Sequence, residues 1–347
     1  MIAILCWLFI YSLELYHISI QKSTPFAKTN GNDTNEKTGT QIHSKDPLSG
    51  IDWPGGIFMK HPVFTGVCTA LVTPFLDDKV NYPLVEQLLR TQIEAGVHAI
   101  ALSGTTGEAS TLSDSEKIEL FRRGKEYTGN RCTIIAGTGT NSTSHAIELS
   151  KAAQDAGADA LLVVSPYYNK ANPEGLFSHY MSIAQSVKIP IIIYNVPSRT
   201  GVDIPISVYR ELSVLPNIAG VKEASSDITK IARIRSTCPD DFYVWAGNDD
   251  QIVPVISLGG KGVVSVLSNV CPADTVAMAD SALAGDFDTA SDLQCGLLPL
   301  IELLFCEVNP IPVKYAMRYA GFDCGHCRLP LGPLSEDNKR KMDRFFK

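Results

Sequence analysis

The sequence lacks the features that mark several specialised classes of protein. It has no long run of Lys and Arg, and its formal net charge is −7, so neither nucleic acid nor an anionic membrane is expected as its main partner. No cluster of His, Cys, Asp and Glu has the spacing of a metal site. The runs Gly104–Glu108 and Gly137–Gly139 do not complete a dinucleotide-binding Gly-x-Gly-x-x-Gly. With 45% hydrophobic and 19% charged residues, the composition indicates a globular protein that acts on small molecules, anionic ones included.

The cysteines do not form a recognisable disulfide framework. There are nine, an odd number, and they are widely spaced apart from Cys324-Gly325-His326-Cys327, which favours a reducing compartment and a cytoplasmic location. A redox pair would begin a helix directly after a strand, whereas this tetrad follows the helix end at Arg318–Gly321. We therefore interpret Cys324 and Cys327 as structural thiols near a turn, with a redox or metal role as the alternative.

Residues 1–58 differ in character from the rest of the chain. Residues 2–20 are mostly apolar but contain Glu14, which would be costly inside a bilayer, and no Lys or Arg precedes Lys22 as a secretory signal would require. Residues 21–55 are polar and typical of a disordered linker. We interpret residues 1–58 as a disordered or mis-assigned extension, and a membrane anchor or targeting segment is the alternative.

From Val63 onward, short apolar runs alternate with segments of helical period. The runs are apolar on both faces, as parallel strands covered on both sides must be. They are Gly66–Val72, His98–Leu102, Thr133–Ala136, Ala160–Val164, Ile189–Tyr194, Ile218–Val221, Phe242–Trp245 and Gly262–Val266. The predicted helices between them are Tyr82–Glu94, Ser113–Tyr127 (with a capping box at Ser113 and Glu116), Ser142–Asp155, Pro173–Gln185, Ile206–Ser213 and Ile228–Ser236.

Eight strands, each followed by a helix, predict an α/β protein of the closed (β/α)8 TIM-barrel class rather than an open doubly wound sheet. The catalytic barrel is expected over residues 59–270. Residues 271–347 should form an appended C-terminal helical block, because apolar helical patterns recur around Thr275–Ala284, Ser291–Phe305 and Pro312–Tyr319.

Catalytic groups of such barrels come from the carboxyl ends of the strands and the loops that follow. Lys222 closes the apolar sixth strand, so its amine is expected at the inner mouth of the barrel. Burial disfavours the charged ammonium, and a neutral amine can attack a carbonyl carbon. The alternative is a structural lysine that pairs with a carboxylate such as Glu223.

Hydroxyl and guanidinium groups follow the neighbouring strands. Tyr194 ends the fifth strand and could pass a proton to and from the amine, with Thr105 and Tyr168 as a hydroxyl relay. Thr106 lies in the same glycine-flanked turn as Thr105 and can offer its hydroxyl to a carboxylate, and Arg199 offers a planar fork to a second one. The alternatives are tyrosines that pack with hydrogen-bonded tips and a surface salt bridge for Arg199.

Seven motifs occur in order along the barrel and the block. They are GTTGE (104–108), PYYN (166–169), YNVPSRT (194–200), the strand that ends at Lys222, GNDD (247–250), GGKGVVSV (259–266) and NPIPVK (309–314). Any one of them is a weak signal, but the ordered set spans the barrel. The chain from about Met59 to Lys347 resembles the 4-hydroxy-tetrahydrodipicolinate synthase (dihydrodipicolinate synthase) family of pyruvate-dependent class I aldolases.

The resemblance implies a reaction and a role for each site residue. The reaction condenses pyruvate with L-aspartate 4-semialdehyde through a lysine Schiff base to give (4S)-4-hydroxy-2,3,4,5-tetrahydrodipicolinate, the committing step of diaminopimelate and lysine synthesis, without a metal or organic cofactor. By resemblance, Lys222 is the Schiff-base lysine, and Tyr194 is the general acid/base, with Thr105 and Tyr168 as its relay. The resemblance also implies that Thr106 binds the pyruvate carboxylate and that Arg199 binds the semialdehyde carboxylate. The backbone carbonyls that line the site are, by the same resemblance, those of Gly247 and Val264.

The resemblance also implies a homo-oligomer, usually a dimer of dimers, in which Tyr168 reaches the neighbouring subunit's site. Lysine-inhibited members bind lysine through small and His residues after GTTGE and an Asn/Glu pair in the next helix. The corresponding stretch here reads Ala109-Ser110, then Asp114 and Lys117; Asn141 and Tyr167 are retained, but His145 stands where the Glu would be. Because Lys117 would repel a cationic ligand, we expect weak or absent inhibition by lysine.

Two other functions remain open. N-acetylneuraminate lyase and 2-keto-3-deoxy sugar acid aldolases share the Lys and the Tyr, but they lack the Arg of YNVPSRT because their aldehyde partner is a neutral polyol. A non-catalytic binding protein on the same barrel would be expected to lose Lys222 or Tyr194, and both are present.

Overall fold

Eight apolar runs form parallel strands that close into a barrel, which confirms the predicted (β/α)8 fold. The structure is a computed structural model that describes residues 60–347, so the interpretation of residues 1–58 lies outside the described residues. Each barrel strand agrees with its prediction to within a residue or two. The barrel strands are β1 (Gly66–Ala70), β4 (Ala99–Leu102), β5 (Thr133–Gly137), β6 (Ala160–Val164), β7 (Ile191–Asn195), β8 (Ile218–Glu223), β9 (Tyr243–Ala246) and β10 (Gly262–Ser265), and β1 pairs with β10 to complete the ring.

A short hairpin, β2 (Phe75–Leu76) and β3 (Lys79–Val80), follows β1. The helices that surround the barrel are α1 (Tyr82–Glu94), α2 (Asp114–Thr128), α3 (Thr143–Asp155), α4 (Pro173–Ser186), α5 (Pro197–Thr200), α6 (Ile206–Leu212), α7 (Ile228–Thr237), α8 (Ile252–Ser257) and α9 (Pro272–Leu283). The predicted capping box is present, because Ser113 Oγ accepts from the Glu116 backbone N–H and the Glu116 carboxylate accepts from the Ser113 N–H.

The interior of the barrel is a packed core. Trp245 is fully buried, stacks on Phe64 with ring centroids 5.1 Å apart and donates its Nε1 hydrogen to the Phe64 carbonyl oxygen at 3.1 Å. Phe64 lies two residues before β1, so this pair fills the barrel interior near the end at which the strands begin. Access to the interior is therefore left at the opposite end, where the strands finish, as in other barrels of this class.

The C-terminal block consists of α10 (Phe287–Leu304), α11 (Ile311–Ala316) and α12 (Glu336–Phe345). The first two correspond to predicted helices. The third was not predicted, because its sequence EDNKRKMDRF is almost wholly polar and only Met342 is buried. None of the helices described in residues 60–347 is long and apolar enough to span a bilayer.

One buried ion pair fastens the block to the mouth of the barrel. Lys314 Nζ of α11 lies 2.8 Å from Glu108 Oε1, with side chains that are 2% and 0% exposed. Glu108 also accepts from the Arg328 backbone N–H at 2.8 Å. Cys324 and Cys327 are buried nearby as free thiols, and burial raises the pKa of each to about 12, which disfavours the reactive thiolate.

Candidate active site

A cavity of about 640 Å³ opens where the barrel strands end. Thr105 reaches it from the loop after β4, Tyr194 from the end of β7 and Arg199 from α5, while Asn309 borders it from the C-terminal block. The structure thus brings three of the predicted site residues to one cavity of a size that suits a small-molecule ligand.

Lys222 and Tyr194 face each other inside the barrel because of an irregularity between β7 and β8. Ile191 pairs with Ile218, but Ile192 pairs with Gly220, so the register shifts by one residue and Tyr194 comes opposite Lys222. Lys222 Nζ lies 4.1 Å from the centroid of the Tyr194 ring. Lys222 and Tyr194 are only 5% and 6% exposed. The Lys222 amine therefore lies behind the lining of the cavity, next to Tyr194, which forms part of that lining.

The alternative in which Lys222 pairs with Glu223 is wrong, because neighbouring residues of a strand point to opposite faces. Glu223 is directed away from the barrel axis, where it accepts hydrogen bonds from Asn195 Nδ2 at 2.8 Å and Tyr209 Oη at 3.1 Å and lies 3.7 Å from Lys230 Nζ. In the described part of the chain, Lys222 takes part in no salt bridge. The amine at the head of the barrel is thus not neutralised by a carboxylate, which is the condition for a nucleophilic lysine.

The turn that carries Thr105 and Thr106 is held on several sides. The Glu108 N–H donates to the Thr105 carbonyl at 3.1 Å, and Thr73 Oγ1 donates to the Gly107 carbonyl at 2.7 Å. Thr105 is partly buried and lines the cavity, whereas Thr106 is 2% exposed and lies behind the lining. Asn309, which borders the cavity, donates a hydrogen bond from its Nδ2 to Thr106 Oγ1 at 3.0 Å.

Arg199 lies on the single helical turn α5, a segment that the sequence analysis treated as a loop. Its Nη2 donates to the backbone carbonyl oxygen of Asn309 at 3.3 Å. Within residues 60–347 it forms no salt bridge, so the surface-pair alternative finds no support. The guanidinium borders the cavity and can offer its remaining donors to an anion.

Besides Lys222 and Thr106, three further predicted site residues do not line this cavity. Gly247 follows β9 and donates its N–H to the Glu223 carbonyl at 2.8 Å, and Val264 is buried in β10 opposite Cys68. Tyr168 is 90% exposed with a φ of 74°, and its hydroxyl forms no hydrogen bond with another described residue. The relay from Tyr168 to Tyr194 is therefore not made within one protomer.

The cavity has a polar arm formed by the residues that the resemblance relates to lysine binding. Lys117 Nζ lies 3.4 Å from one oxygen of Asp114, and His145 Nε2 lies 2.7 Å from the other. Asn141 and Tyr167 line the same arm. Asp114 is thus already engaged by two side chains of its own protomer.

Asn309 is the site residue to which sequence reasoning gave no role. Its signal was the NPIPVK motif, which contributed to the resemblance without a function for its first residue.

In the described residues no three His, Cys, Asp or Glu side chains are placed to hold a metal ion.

Comparison with known proteins agrees with this geometry. Residues 63–347 match the model of the Dihydrodipicolinate synthetase family. The chain is 49% identical over 284 residues to the 4-hydroxy-tetrahydrodipicolinate synthase of Caldicellulosiruptor saccharolyticus, covering 82% of this chain and 96% of the relative. It is 46% identical over 289 residues to that of Acetivibrio thermocellus, with 83% and 98% covered.

The fold is also similar to the crystal structure of dihydrodipicolinate synthase from Aquifex aeolicus. The TM-score is 0.80 at 39% sequence identity, over 81% of this chain and 97% of that chain. A barrel with an unpaired lysine beside a tyrosine at its carboxyl end, and with this similarity along its whole length, belongs to the Dihydrodipicolinate synthetase family.

Proposed function

We propose that the chain condenses pyruvate with L-aspartate 4-semialdehyde to give (4S)-4-hydroxy-2,3,4,5-tetrahydrodipicolinate, the committing step of diaminopimelate and lysine synthesis. The observation that carries the proposal is Lys222, buried at the head of the barrel without a carboxylate partner and 4.1 Å from the Tyr194 ring centroid. Arg199 on the same cavity supplies the recognition of a second, anionic substrate.

The reaction follows from the chemistry of a primary amine beside a phenol. The Lys222 amine attacks the pyruvate carbonyl carbon and, after proton transfers through Tyr194, water leaves and an imine forms. The imine withdraws electrons from the adjacent methyl group, so loss of one methyl proton gives an enamine. The enamine carbon then attacks the aldehyde carbon of the second substrate. The substrate's own amino group finally displaces Lys222 from the imine carbon, which closes the ring and frees the enzyme.

Each remaining site residue has a role that suits its position. Thr106 binds the pyruvate carboxylate, and Arg199 binds the carboxylate of the semialdehyde. Gly247 and Val264 contribute backbone carbonyl oxygens near Lys222; Gly247 directly follows β9, and Val264 lies in β10. Thr105 passes protons between Tyr194 and Tyr168. No metal or organic cofactor takes part in this scheme.

The exposure of Tyr168 supports an assembly of at least two copies. An aromatic side chain that is 90% exposed is suited to insertion into a neighbouring site, and a two-fold axis would exchange this contact in both directions. We propose that a pair of protomers completes each other's relay and that two pairs form a tetramer. A cytoplasmic location suits the free thiols of Cys324 and Cys327.

Aldehyde specificity tests the proposal against its sibling functions. Given pyruvate, the enzyme is expected to consume aspartate semialdehyde rapidly and to leave N-acetylmannosamine and glyceraldehyde unchanged, because Arg199 requires an anionic partner. The Arg199→Lys variant, which loses the planar fork, should lower kcat/KM for aspartate semialdehyde by about ten- to a hundredfold. Pyruvate imine formation in that variant, measured by borohydride trapping, should change by less than about twofold. Turnover of a neutral sugar aldehyde in preference to aspartate semialdehyde would assign the chain to a sugar-acid aldolase.

Subunit complementation tests the shared relay. The Tyr168→Phe variant should lose about a hundredfold in turnover, the scale of one acid–base group, and Lys222→Ala should be inactive. Mixing the two after subunit exchange should restore about one site in four, since half of the dimers are then mixed and each holds one intact site. Exchange is verified by native mass spectrometry. Mixed dimers without regained activity would place the function of Tyr168 within its own protomer.

Inhibition by lysine is expected to be weak or absent. The Lys117 ammonium repels a cationic ligand, and the Asp114 carboxylate is already bound to Lys117 and His145. Initial rates in a lysine titration should stay near the uninhibited value at submillimolar concentrations. A double variant, Lys117→His with His145→Glu, removes the repulsion and adds a carboxylate, so it should be more sensitive. Half-inhibition of the unmodified enzyme by submillimolar lysine would show that this reasoning is wrong.

A further inference from the structure

Asn309 connects the two residues that the proposed function assigns to the two substrate carboxylates. Its side-chain Nδ2 donates to Thr106 Oγ1 at 3.0 Å, and its backbone carbonyl oxygen accepts from Arg199 Nη2 at 3.3 Å. The residue is 5% exposed and borders the cavity from the C-terminal block. We propose that Asn309 is a positioning residue whose side-chain amide directs the Thr106 hydroxyl proton toward the pyruvate carboxylate. The inference rests on the proposed function.

The direction of this hydrogen bond decides what Thr106 can bind. A threonine hydroxyl has one proton to donate and two lone pairs that can accept. Asn309 uses a lone pair, and Thr106 Oγ1 has no second hydrogen-bond partner among residues 60–347. The single O–H proton is therefore left for an acceptor that enters the cavity, such as a carboxylate oxygen. If an acceptor stood in place of Nδ2, it would take the proton itself, and Thr106 would present only lone pairs to an anion.

Two contacts join the GTTGE turn to the C-terminal block. Asn309 holds Thr106, and Lys314, on the following helix α11, holds Glu108 through the buried 2.8 Å ion pair. Both residues belong to NPIPVK, and both of their partners belong to GTTGE. With the backbone held by Glu108 and Lys314, the amide of Asn309 is left to set the orientation of the hydroxyl.

The two contacts of Asn309 can be separated experimentally. The contact with Thr106 is made by the side chain, whereas the contact with Arg199 is made by a backbone carbonyl that a side-chain substitution retains. Changes at Asn309 should therefore affect pyruvate and leave the semialdehyde largely unaffected. A general loss of packing would affect both substrates.

The experiment begins with the unmodified enzyme, whose turnover of pyruvate and aspartate semialdehyde tests the proposed function separately. Asn309→Asp, which is nearly isosteric but replaces the donor by an acceptor, should raise the pyruvate concentration needed for half-maximal borohydride trapping about ten- to a hundredfold. Asn309→Ala, which removes donor and acceptor together, should raise it less. The KM for aspartate semialdehyde should change by less than about twofold in Asn309→Ala, which adds no charge beside Arg199.

The order of the two variants distinguishes positioning from packing. If Asn309 acted only by filling space, the isosteric Asn309→Asp would be milder than Asn309→Ala, and that result would overturn the proposal. A double-mutant cycle with Thr106→Val gives an independent test, because an amide that works through Thr106 should have little further effect once the hydroxyl is absent. Additive losses in this cycle would also contradict the proposal. If Asn309→Asp does not fold, the cycle of Asn309→Ala with Thr106→Val still decides between these outcomes.

Discussion

The register between β7 and β8 is the constraint on which the site depends. One extra residue in β8, between the partners of Ile191 and Ile192, moves Lys222 to the level of Tyr194. Without the shift, Tyr194 would lie opposite Val221, and the lysine would face outward toward the helices. Gly220 permits the shift, because a Cβ at that position would lie 1.9 Å from the Tyr243 carbonyl oxygen. The same register turns Glu223 outward, so its carboxylate is engaged by Asn195 and Tyr209 and not by the amine.

The barrel and the C-terminal block contribute different parts of the site. The barrel supplies the amine and the phenol, which are held side by side by the pairing of β7 with β8. The block supplies Asn309, which contacts both Thr106 and Arg199. The two parts are joined by the Glu108–Lys314 ion pair, and removal of one partner from such a buried pair typically costs about 3–5 kcal/mol. Residues of both segments therefore border the cavity.

Much of this arrangement could be predicted from the sequence, because its signals are local. Parallel strands buried on both faces give continuous apolar runs, and Lys222 and Tyr194 end two of them. Features that arise from long-range packing were not accessible in the same way. The orientation of Glu223 depends on a register shift, and the contact of Asn309 with Thr106 joins residues 203 positions apart. Helix α12 was missed because its sequence is almost wholly polar and its contacts with the block, such as Tyr315 Oη with Asp343 at 2.9 Å, are long-range.

The measurement that tests the central claim most directly is reduction of the enzyme with borohydride in the presence of pyruvate alone, followed by peptide mass spectrometry. If Lys222 is the unpaired amine that forms the imine, the reduced pyruvate adduct should be found on the peptide that contains Lys222. Adduct formation should require neither a metal nor the second substrate. Absence of an adduct, or an adduct located on another lysine such as Lys314 or Lys230, would contradict the assignment of Lys222 as the nucleophile.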